Sequence, residues 1–148
     1  MNIVVAKPPI YDEAAARFTL RGREVFAYGD TLFNPHGIPI SPDLMTHERV
    51  HAAQHRHYPG GAAAWWSRYL EDPSFLASQE GEAYGAQLAF LRSTARKRGD
   101  RCVPALCHFA GTLSGEMYGS PITLAGAMVL IRRHADAMQA IVKAAARQ

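Results

Sequence analysis

The residues of this chain with the most telling spacing are His47-Glu48-Arg49-Val50-His51, an HExxH pattern. On a helix, positions four apart lie about 40° apart and one turn up, so both imidazoles can meet a single metal ion. Glu48 then flanks that ion without binding it, where a carboxylate can take a proton from an attacking water. With 7 His in 148 residues, and Glu equally common, roughly 0.015 matches are expected by chance, so the pattern is informative and its surroundings must decide. Leu44, Val50, Gln54 and Tyr58 fall within about 60° of His47 on the same helix, which places the histidines on its apolar side. Two buried imidazoles are costly without partners, and one metal ion supplies a partner to both.

A catalytic zinc takes three protein ligands and keeps a position for water, so a third ligand is needed. His55 stands about two turns from His47, too far to share the ion, and reads as a surface or rim histidine. His57 occupies the metzincin third-ligand position, but residue 54 is Gln where that class turns its chain at Gly. Glu80 and Glu82 remain. With Glu80 as the origin of a helical wheel, Leu91 falls at about 20°, Tyr84 at about 40° and Leu76 at about −40°, so Glu80 is at the centre of an apolar stripe. Glu82 falls at about 200°, beside Gly81, Ala86 and Ala89, on a side expected to be wetter. A carboxylate inside a buried stripe needs a positive partner, which makes Glu80 the predicted third ligand of one zinc ion per chain.

The elements that must hold these groups can be read from their stop and start signals. Ser41-Pro42-Asp43 supplies an N-cap, a first-position proline and an acid, and Tyr58-Pro59-Gly60-Gly61 stops the helix, so residues 42–57 form the HExxH helix. A short helix over 62–70, a longer one over 75–96 ended by charge and Gly99, a helical segment over 101–111 and a last helix from Pro121 to about Ala146 follow. Strand material is confined to residues 16–40, chiefly 16–20 and 24–28. The expectation is an α+β, mostly helical single domain over residues 1–148 with a small N-terminal β-sheet. The net charge of +3 is spread along the chain, which disfavours a nucleic-acid binder. The most apolar segment, residues 122–131, is half the length of a membrane span, and the first nine residues lack the pattern of an export signal. Cys102 and Cys107 are too few for a zinc framework and read as free thiols.

Taken together, these residues resemble the gluzincins, zinc peptidases in which a Glu from a second helix joins HExxH. More narrowly, the chain resembles a family of small phage- and prophage-encoded metallopeptidases through Tyr28-Gly29-Asp30, Asn34-Pro35, HExxHxxQ ending at Gln54, Trp65-Trp66, Tyr69-Leu70, Asp72, Phe75, Gln79-Glu80, Ala83-Tyr84, Leu113-Ser114 and Tyr118-Gly119. The likeness spans roughly residues 28–131 and implies a zincin-like, minimal gluzincin core with an active-site helix and a glutamate helix. Many gluzincins carry an Asp four residues after the ligand Glu; here that position is Tyr84, so a different group must orient the ligands. Gln54, about 20° from His47, and Tyr84 are the candidates, with core packing an equal role for Tyr84.

The expected activity is hydrolysis of a peptide or amide bond by metal-activated water, with Glu48 as general base and Tyr118, in the loop 115–120, as an oxyanion donor. The expected partners are a peptide, protein or cell-wall peptide, with no nucleic acid and no membrane. The expected place is the cytoplasm of the producing cell or a phage particle. Trp65-Trp66 reads as core or as a wall of a peptide cleft, and His108 as a minor oxyanion candidate. The alternative function is a metal-stabilised structural or assembly protein of a phage particle, whose site would have its fourth position filled by protein.

Overall fold

The computed structural model describes residues 1–95 and 102–145, with Cys102 described in its backbone alone. The elements run β1 (Asn2–Val4), α1 (Tyr11–Arg17), β2 (Phe26–Tyr28), β3 (Thr31–Phe33), α2 (Pro42–His57), α3 (Gly61–Glu71), α4 (Pro73–Thr94), α5 (Cys102–Leu113), a single 3-10 turn (Glu116–Tyr118) and α6 (Leu124–Ala145). The chain is therefore α+β and mostly helical, with one small three-stranded sheet of order β1-β3-β2. β2 and β3 form an antiparallel hairpin across Gly29-Asp30, with Ala27 opposite Leu32, and β1 joins β3 in parallel, with Ile3 opposite Leu32.

The helix that carries HExxH begins and ends where its caps dictate. Ser41 Oγ accepts the Leu44 N–H at 3.4 Å and Pro42 occupies the first helical position. Past His57 the chain turns through Gly60 and Gly61, at φ +87° and +67°. α4 starts in the same way, with Asp72 Oδ1 accepting the Ser74 and Phe75 N–H groups at 3.0 Å each. α6 begins at Leu124, later than the expected Pro121, because the Thr123 hydroxyl caps the Gly126 N–H at 3.1 Å. The expected end points at Arg96, Gly99 and Ala146 lie outside the described residues.

Two other expectations are corrected. Residues 16–20 are not strand: 16–17 end α1, favoured by three consecutive alanines with Asp12 and Glu13 in the first turn and Arg17 in the last, and 18–20 leave it as irregular chain. The missing strand is supplied by Asn2–Val4, too short to be read without its partner β3. The side of α4 opposite Glu80 is also not wet. Gly81, Gly85 and Ala86 are buried there, and α6 approaches so closely that a Cβ on Gly85 would strike the His134 Cβ and lie 3.2 Å from the Ile131 carbonyl and the Ala135 nitrogen. α4 is thus covered on both faces, by α2 on one and α6 on the other, and its hydrophobic periodicity is correspondingly blurred.

The core draws on every layer: Phe18 after α1, Phe26 from β2, Trp65, Trp66 and Tyr69 from α3, Leu76 and Leu88 from α4, Phe109 and Leu113 from α5, and Ile131 from α6. No helix among the described residues is long and apolar enough to cross a membrane. Cys107 is a free, exposed thiol, whereas the side chain of Cys102 lies outside the described residues.

Candidate metal centre

α2 and α4 pack face to face and bring three side chains to one point. His47 and His51 approach through their Nε2 atoms, 3.0 Å apart. The Glu80 carboxylate spans both, with Oε1 3.2 Å from His51 Nε2 and Oε2 3.4 Å from His47 Nε2. All three residues are buried, Glu80 to 2% exposure. One donor atom from each lies within 4.8 Å of the others, and among the described residues no fourth His, Cys, Asp or Glu joins the group. A tetrahedral ion holding donors at about 2.0–2.2 Å sets them about 3.3–3.6 Å apart, so the donor set fits zinc to within a few tenths of an ångström.

The three candidate ligands are oriented by a polar network. His51 Nδ1 faces the Gln54 side-chain oxygen at 2.8 Å, which holds a proton on Nδ1 and turns Nε2 toward the centre. The Gln54 amide donates in turn to the Gln79 carbonyl at 3.1 Å and to Glu82 Oε2 at 2.9 Å. Glu82 therefore stays out of the centre and steadies it through Gln54. On the other side, the Tyr69 hydroxyl donates to Glu80 Oε1 at 2.5 Å and the Tyr118 hydroxyl to Oε2 at 3.1 Å. His47 Nδ1 is buried without a hydrogen-bond partner, its ring set edge-on to Tyr84 at 4.5 Å.

The charges follow from this crowding. Burial opposes a charge on His51, but the adjacent Glu80 carboxylate and its hydrogen bond outweigh it and raise the imidazole pKa to about 9. Burial likewise opposes a charge on Glu80, and the facing histidines overcome it and hold the carboxyl below its ordinary value. Glu48, buried beside them, is pushed up, chiefly by burial and further by the Glu80 charge. Burial and the Glu80 charge also raise Tyr69 and Tyr118 well above ordinary phenols, so both remain hydrogen-bond donors.

No family model, curated protein or solved structure matches the chain. The centre must be read from its own atoms.

Of the residues singled out in the sequence, His47, Glu48, His51, Glu80 and Tyr118 line one small cavity of about 60 Å³. Tyr118 is not an open loop residue: it sits in the 3-10 turn, buried, and also lies 3.4 Å from the Tyr84 hydroxyl. His57 is exposed at the end of α2. His108 is exposed on α5, at the wall of a wider cleft that reaches His47 and Glu48. The indole N–H groups of Trp65 and Trp66 are committed to Gln79 Oε1 and the Ala27 carbonyl, and both rings are buried, so the pair belongs to the core.

His55 departs most from expectation. It is 1% exposed, edge-on to Trp65 at 4.5 Å, with neither ring nitrogen hydrogen-bonded. Burial and the nearby His51 charge lower its pKa to about 3, so it is a neutral core residue. The sequence alone assigns Tyr69 no role. Its signal is the spacing of Trp65 and Tyr69, four apart, which stack at 4.6 Å and put the phenol over Glu80.

Proposed function

We propose that the chain is a zinc-dependent hydrolase of peptide or amide bonds, with a zincin-like core of gluzincin pattern. The observation that carries this reading is the convergence of His47 Nε2, His51 Nε2 and the Glu80 carboxylate at 3.0–3.4 Å, with the Glu48 carboxyl in the same cavity. Zinc, when bound, supplies a Lewis acid that polarises a carbonyl and lowers the pKa of a water to about 7.

The chain's own residues do the rest. Glu48 accepts the proton of the attacking water and hands it to the leaving nitrogen, from a position in the same cavity as the three candidate ligands. Tyr118, held protonated, turns its single hydroxyl proton from Glu80 Oε2 to the oxygen of the scissile carbonyl as negative charge develops there. Tyr69 and Gln54 keep Glu80 and His51 aimed at the centre. The alternative, a metal site that only holds a fold or an assembly together, normally fills its fourth position with protein; among the described residues three ligands are present, which favours catalysis.

Glu48→Gln tests the choice, because it keeps the volume and removes the base. A hydrolase predicts a folded, zinc-loaded variant whose cleavage of a broad peptide and cell-wall fragment library falls by about two to four orders of magnitude. Equal rates in wild type and a zinc-loaded Glu48→Gln variant would refute the mechanism.

A further inference from the structure

Between α1 and β2 the chain runs Arg21-Gly22-Arg23-Glu24. Gly22 takes φ +76°, and the Glu24 carboxylate folds back to accept the Arg21 N–H at 2.5 Å and the Arg23 N–H at 3.0 Å. The one acid of the turn is thereby bound to backbone donors, and the turn keeps a net charge of +1, from two arginines and one glutamate. Arg21 and Arg23 are exposed, and among the described residues neither guanidinium forms an ion pair, whereas Arg56, Arg68 and Arg92 each pair with an aspartate.

These two arginines do not face open solvent alone. They line a cleft of about 310 Å³ whose lining also includes His47, Glu48, His108 and Tyr118. That volume is at the lower end of ligand pockets, roughly 300–1,000 Å³, and suits a short stretch of peptide. A guanidinium presents a planar fork of donors that matches a carboxylate, and the Glu24 clamp holds the backbone from which both forks project.

We propose that the Arg21–Arg23 turn is a carboxylate subsite, so that the bond presented to Glu48 lies close to an acidic side chain or to a free C-terminus. The reference to a bond rests on the hydrolase reading above; the binding of the carboxylate does not. The preference is electrostatic and weakens as salt is added.

The test measures binding to zinc-loaded Glu48→Gln protein, which holds peptide without turning it over. Four probes are titrated calorimetrically at low salt: an amidated alanine-rich pentapeptide with a central glutamate, the same peptide with glutamine, and pentaalanine with a free or an amidated C-terminus. At least one charged probe should bind about tenfold more tightly than its neutral twin, and which pair differs identifies the source of the carboxylate. Adding Arg21→Ala and Arg23→Ala should erase that difference while leaving the neutral probe's affinity in place, and the double Lys variant should keep part of it. Equal binding within both pairs, no binding of any probe, or a preference that survives the double Ala variant would overturn the proposal. Hydrolysis by wild type is scored separately. A charged preference with no hydrolysis of the broad peptide and cell-wall fragment library leaves the subsite standing and removes the hydrolase reading, and hydrolysis of that library without a charged preference does the reverse.

Discussion

His51 Nε2 lies 3.0 Å from His47 Nε2 and 3.2 Å from the Glu80 carboxylate, which favours a proton on His51 when no metal is bound and would make binding of the proposed zinc a competition with that proton. The perturbation to apply is pH. His51 is raised from 6.5 to about 9 in the folded, metal-free protein. A folded pKa above the unfolded one gives stability that is fully present below about pH 6.5 and lost as pH rises through about 9, on the order of 3 kcal/mol. The lowering of Glu80 expresses the same contact and is not added to it. Zinc needs His51 Nε2 without its proton, so the apparent zinc affinity should rise about tenfold per pH unit up to about 9, or roughly a hundredfold between pH 7 and 9. Competition against a chelator whose own protonation is corrected for measures this directly. Glu80→Gln removes the charge that holds the proton, so this variant should bind zinc more weakly and lose the slope over that range. A wild-type affinity that stays within threefold from pH 7 to 9 would refute the reasoning.

Three further outcomes follow from the same contacts. The proposed zinc would tie α2 to α4, so removing it from a sample held at about a thousand times Kd should cost about 4 kcal/mol, roughly 10 °C in the calorimetric midpoint; an unchanged midpoint with zinc loss verified would deny the coupling. Tyr69→Phe deletes the 2.5 Å bond to Glu80 and should weaken zinc binding about ten- to a hundredfold, while Tyr84→Phe, whose hydroxyl meets only Tyr118 at 3.4 Å, should change it less than about threefold in the same competition assay. Gly85→Val drives a side chain into His134 and the α6 backbone and should lower stability by about 1–3 kcal/mol, whereas Gly111→Ala, where a Cβ meets nothing within 4 Å, should be neutral or stabilising in thermal unfolding.

The parts of this molecule that could be read from the sequence are those set by local chemistry. Ser41-Pro42 and Tyr58-Pro59-Gly60 delimit α2 without reference to any other element, and the wheel around Glu80 finds the face that meets α2. Gln54 was legible for the same reason, being on the His47 face, although the atom it holds is His51 Nδ1. What could not be read depends on contacts distant in sequence. The burial of His55 is made by Trp65 and Trp66 from α3, the dry face of Gly81 and Gly85 by α6, and β1 exists only against β3. Tyr118 illustrates the limit on function: glycines at 115 and 119 mark a turn, but only the fold shows its hydroxyl on Glu80.

The outer strand β1 has a consequence for how molecules of this protein behave toward one another. Among the described residues its far edge has no neighbour within the sheet, and Ile3 and Val5 are 52% and 74% exposed, a combination that invites strand addition by a second chain. Yet the strand is only three residues long, half the six or seven that a stable cross-β segment needs, and the chain runs on into Lys7-Pro8-Pro9. The charge resists close stacking, and the prolines have no N–H to give to an incoming strand. Edge growth is cut off within one turn of the ribbon, so concentrated protein should resist fibril formation, and replacing Lys7, Pro8 and Pro9 with β-formers should remove that protection.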